Sequence, residues 1–67
     1  MSDMEQIELN RYRKEMLADL RHVVEKYRAI FDWDIPDVDQ AVADHLILDA
    51  VRAALVEIEH ELAQIKP

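Results

Sequence analysis

The sequence predicts an all-α protein: an antiparallel two-helix hairpin that dimerises into a four-helix bundle. Three observations carry that expectation. Gly is absent and Pro occurs twice in 67 residues, while 51% of the residues are hydrophobic. Such a composition favours helix and withholds the turn residues that a small β protein needs. Two long segments carry apolar residues at steps of three and four, the period of a helix with one buried face. One short break built around Pro36 separates them.

The first helix is expected over about 3–31. Leu9, Tyr12, Met16, Leu20, Val23, Tyr27 and Ile30 form its stripe, widened by Leu17, Val24 and Phe31. At 100° per residue these fall on one face, with Glu8, Lys14, Ala18, His22 and Glu25 on the other. Arg11/Glu15 and Arg21/Glu25 stand at i,i+4 and add a few tenths of a kcal/mol each (~0.3). Ser2 is the candidate N-cap.

The hinge is expected over 32–37, Asp-Trp-Asp-Ile-Pro-Asp. Pro36 has no N–H for a continuing helix and biases Ile35 away from the α region. Two starts compete for the second helix. Asp37 as N-cap would place Gln40 at the third helical position, a variant capping box. Asp34 as N-cap would put Pro36 in the first turn and let Trp33 staple onto Val38. The second is preferred because it buries Trp33. Either way the carboxylates sit at the positive end of a helix.

The second helix, about 38–65, organises the chain. Leu48, Val51, Leu55, Ile58, Leu62 and Ile65 form a heptad-like stripe. Val38, Val42, Leu46, Ala50, Ala53 and Val56 lie largely outside it, giving more apolar surface than one partner helix covers. So short a hinge makes the helices antiparallel neighbours. With Phe31 opposite Val38, facing residues have numbers summing to about 69. That register brings Glu57, Glu59 and Glu61 beside Arg11, Arg13 and Lys14, so that Arg13 and Glu59 form a structural ion pair. It also places Asp44 near Arg28, Tyr27 or Arg21. Because a hairpin alone leaves both sides of its seam wet, a second copy is expected to cover Val42, Leu46, Ala50, Ala53, Ala54 and Val56 in a homodimer or higher even oligomer.

Charge and composition narrow the function classes. The net charge is −7; residues 1–31 balance six bases with six acids, and residues 32–67 carry nine acids against Arg52 and Lys66. Direct contact with nucleic acid or an anionic membrane needs a positive field and is not expected. With no Cys, disulfides and thiolate metal sites are excluded. The acidic N-terminus lacks a signal-peptide pattern and no apolar run reaches membrane-spanning length, so the expected compartment is the cytoplasm.

Catalytic chemistry finds little to use. Ser2 is the lone hydroxyl nucleophile besides the tyrosines, and a glycine-rich phosphate loop is impossible without Gly. No enzyme activity and no cofactor are expected. Glu57 and His60 have the E-x-x-H spacing of carboxylate metal bundles, and Asp19 and His22 stand at the same spacing, but both pairs fall on polar faces and read as solvated surface. His45 and Asp49, one helical turn apart, read as a surface pair.

The function expected is protein–protein binding, as an adaptor, regulator or inhibitor that meets a basic partner through Trp33, Asp34, Ile35, Asp37, Leu46 and Asp49. Trp33 has two readings, a plug of the bundle end or an exposed anchor; the plug is preferred. A second class is an acidic decoy that occupies the nucleic-acid site of a DNA- or RNA-binding protein. A third and weaker one is a carboxylate metal protein.

Overall fold

The computed structural model describes residues 3–65, and Ser2, the candidate cap, lies outside them. Two helices account for the fold, α1 (Asp3–Asp34) and α2 (Gln40–Ile65), with no strand among the described residues. Helix α1 runs three residues beyond its expected end, and α2 starts two residues late. Asp3 and Glu5 occupy the first turn of α1, where carboxylates meet the positive end of the helix dipole. Arg11 pairs with Glu8 at 3.6 Å rather than with Glu15.

The turn explains the shifted boundaries. The Ile35 N–H still donates to the Phe31 carbonyl at 3.0 Å, so the helical ladder ends just before Pro36, which has no N–H to continue it. Asp37 then takes a left-handed conformation, φ 55°, which Asp tolerates better than bulkier residues. Two residues later Asp39 caps α2. Its Oδ1 accepts from the N–H groups of Ala41 at 3.1 Å and Val42 at 3.2 Å, and its carbonyl accepts from Ala43 at 2.9 Å. Neither expected cap is used. Asp34 is still inside α1, and the left-handed backbone of Asp37 does not suit an N-cap, which needs extended geometry.

The longer α1 also settles the orientation of Trp33. Phe31 is half-buried on the inner face. Two residues on, a helix has turned about 200°, so Trp33 points outward and is 89% exposed. It neither staples onto Val38 nor plugs its own hairpin.

The two helices meet only near the turn. Ala43 and Ile47 form the core at 3% and 5% exposure. Val24, Phe31, Val38, Gln40, Asp44 and Val51 surround them, half-buried. Across this seam Arg28 donates from Nε to Asp44 Oδ1 at 2.7 Å, one of the partners the sequence suggested for Asp44. The pair's numbers sum to 72, three more than the expected register, because the turn lies further along the chain, at 35–39 instead of 32–37. The Gln40 side chain holds the same carboxylate oxygen at 2.9 Å.

Beyond this point the helices part. Every described residue before Val24 and after Val51 whose side chain is placed is exposed, including Leu9, Tyr12, Met16, Leu55, Ile58 and Leu62. The molecule measures 50 × 27 × 15 Å, wider than the roughly 20 Å of two helices packed along their length. The Arg13–Glu59 pair therefore does not form. Arg13 donates to Asn10 on its own helix at 3.3 Å, and Arg28–Asp44 is the one ion pair between the helices among the described residues.

Candidate functional site

The open side of the seam is an apolar groove of about 380 Å³. Helix α1 supplies Val23, Tyr27 and Phe31; α2 supplies Leu46, Ile47, Ala50, Val51 and Ala54. Its floor exists because the small side chains of Ala50 and Ala54 follow one another at a four-residue step, leaving a trough beside Leu46 and Val51. A second depression of about 220 Å³ adjoins it at the turn, where Phe31, Ile35 and Asp37 face Val38, Val42 and Leu46. Phe31 and Leu46 belong to both, so they join the two hollows.

Four of the six residues expected at an oligomer interface line these hollows: Val42, Leu46, Ala50 and Ala54. Ala53 and Val56 line neither; both are exposed. Among the expected partner-binding residues, Ile35, Asp37 and Leu46 come together at the turn. Asp34 and Trp33 stand apart on the last turn of α1. Asp49 is engaged along its own helix, by His45 Nε2 at 3.3 Å and Arg52 Nη1 at 3.0 Å.

Sequence reasoning missed the two residues that hold the hairpin shut, Ala43 and Ile47. The signal was present: stepping back by fours from Val51 gives Ile47 and then Ala43. Starting the stripe at Leu48 placed it one residue off, and Leu48 is exposed.

The electrostatics are simple at the seam. The Asp44 carboxyl is held below its ordinary value of 3.8 by the Gln40 hydrogen bond first, then by the Arg28 hydrogen bond and charge, against an opposing effect of partial burial. Tyr27, which lines the groove, has the Lys26 ammonium 5.3 Å from its ring centre. Glu57, His60, Asp19 and His22 are all exposed. No three or more His, Asp or Glu side chains converge as a metal cluster among the described residues.

The whole surface is too large for a closed monomer. The chain exposes 6322 Å², whereas a compact protein of 7.9 kDa exposes about 4,400 Å². Comparison with known proteins adds no relative: no family model, curated protein or solved structure matches this chain.

Proposed function

We propose that the chain works as a homo-oligomeric helical protein of the cytoplasm, two hairpins closing into a four-helix bundle that acts by binding another protein. Adaptor, regulator and inhibitor are the roles open to such a bundle. One observation carries the reading: both helices keep their apolar stripes exposed beyond a very small core, and an apolar groove runs between them. Contiguous apolar surface of this extent is a mark of an interaction site. A core of Ala43 and Ile47 is also too small to offset the cost of ordering two long helices, about 1–2 kcal/mol per residue. Among the described residues no helix is long and apolar enough to cross a membrane.

The bundle's partner is expected to be basic, because residues 32–67 carry the chain's whole net charge. Sedimentation at low micromolar concentration tests the assembly. The expected mass is about twice 7.9 kDa or a higher even multiple; a compact, folded monomer would overturn the proposal. The exposed carboxylates of Asp32, Asp34, Asp37 and Asp39 favour one other reading, a decoy that replaces nucleic acid on its target. Competition by DNA or RNA, with affinity falling steeply in salt, would select the decoy.

A further inference from the structure

We infer that the open jaw of the hairpin is filled by a second copy lying the same way round, with both turns at one end of the bundle. Each α2 is then flanked by its own α1 and by α1 of the other copy. This deepens the proposed assembly and rests on it.

The area fits a copy of this chain. The excess over a compact monomer is about 1,900 Å², more than twice the roughly 800 Å² per partner of a standard interface. It falls in the range of obligate homodimers, which bury about 1,000–2,500 Å² on each chain. A short peptide in the 380 Å³ groove would leave the diverging legs bare. A second hairpin of the same length covers groove and legs together.

The charges choose the orientation. Taking Arg28–Asp44 as the level mark, Arg13 lies fifteen residues back along α1 and Glu59 fifteen residues forward along α2. Both are about 22 Å from the mark, so they stand at the same height while the splayed legs keep them apart. Setting the second copy the same way round brings its Glu59 to that height on the other flank of α1. There Arg13, which among the described residues of its own chain meets Asn10 and no carboxylate, gains one. Glu57 and Glu61 likewise approach Arg11 and Lys14.

Turning the second copy end over end has two outcomes, and both are worse. One sets α2 against α2, with Glu57 and Glu61 of each facing the Asp44–Asp49 region of the other, like against like. The other makes neighbouring helices parallel, so that helix ends of the same sign lie side by side.

A spin label reads the orientation directly, because the chain has no Cys and one introduced Cys is unique. Trp33→Cys puts the label on an 89% exposed position at the turn end. With turns together, the two labels of a dimer lie within about 30 Å, the width of a four-helix bundle plus the label arms. With turns at opposite ends they lie about 45 Å apart or more, since α1 alone is 32 residues and about 48 Å long. Glu8→Cys, exposed at the far end, gives the same pair of outcomes and serves if the Trp33 variant does not fold. A short distance at either position supports the placement. A long distance in a sample of dimer mass overturns the placement and leaves the dimer standing. Monomer mass with no coupling between labels overturns both.

Discussion

Asp44 is the residue that ties the two helices together by charge. Its carboxylate joins the two helices through Arg28 at 2.7 Å and is braced by Gln40 at 2.9 Å. A carboxyl whose pKa is lower in the folded state than its ordinary 3.8 stabilises the fold at all pH values above that. The contribution is lost as pH falls through the still lower folded value. Asp44→Asn should therefore lower the melting temperature at pH 7, and the difference from the parent protein should shrink as the pH is taken below 3.8 and through the lower folded value. Paired melting curves at the two pH values check this; a difference that persists in acid would mean that the charge is not what Asp44 contributes. Trp33 gives the opposite expectation. At 89% exposure on the outer face of α1, it buries very little of its surface, so Trp33→Ala should change stability by no more than about 0.5 kcal/mol. Capture of the basic partner should fall sharply if Trp33 anchors it. A loss of about 3–5 kcal/mol, as for a buried aromatic, would instead show that assembly buries this ring.

At the scale of the element, α2 begins where its cap can form rather than where its apolar pattern begins. Four Asp residues crowd the turn, and only Asp39 combines a position outside both helices with the two accepted N–H bonds. Asp39→Ala should cost about 1 kcal/mol, as N-cap removals do. Asp37→Gly should be neutral or slightly stabilising, because Gly relieves a left-handed backbone at φ 55°. Chemical denaturation of the two variants side by side separates cap from turn. Equal losses in both would mean that the two aspartates act through charge at the helix N-terminus instead. Two of the candidate caps and the length of α1 depend on Pro36, which ends the ladder at Ile35 and leaves five residues to turn the chain.

For the whole molecule, the proposed bundle makes stability and assembly one quantity. With burial confined to the turn end, most of the apolar area that could favour folding is still in water, and only association removes it. The melting temperature should therefore rise with protein concentration between micromolar and millimolar samples, as mass action requires of a protein whose folded form is the oligomer. Scanning calorimetry across that range is the check, and a constant midpoint would mean that a single hairpin sustains itself.

Two helices, their antiparallel hairpin and the acidic bias of the second half were legible in the chain, because composition, a 3.6-residue period and Pro36 are local properties that each segment carries alone. The Arg28–Asp44 pair was legible too, since any short turn places those residues at nearly the same height. What only the tertiary structure decided is how far the hairpin closes. An apolar stripe states that a face seeks cover, and it does not state which helix provides it. Hence Leu9, Leu55 and Leu62 were assigned to a seam that the single chain leaves open, and Arg13 and Glu59 to a pair that the diverging legs prevent. The cap at Asp39 and the outward Trp33 follow from the same cause. Three extra residues of α1 and one left-handed Asp rotate everything after Phe31, and the seam then packs on Ala43 and Ile47, one residue off the stripe that starts at Leu48.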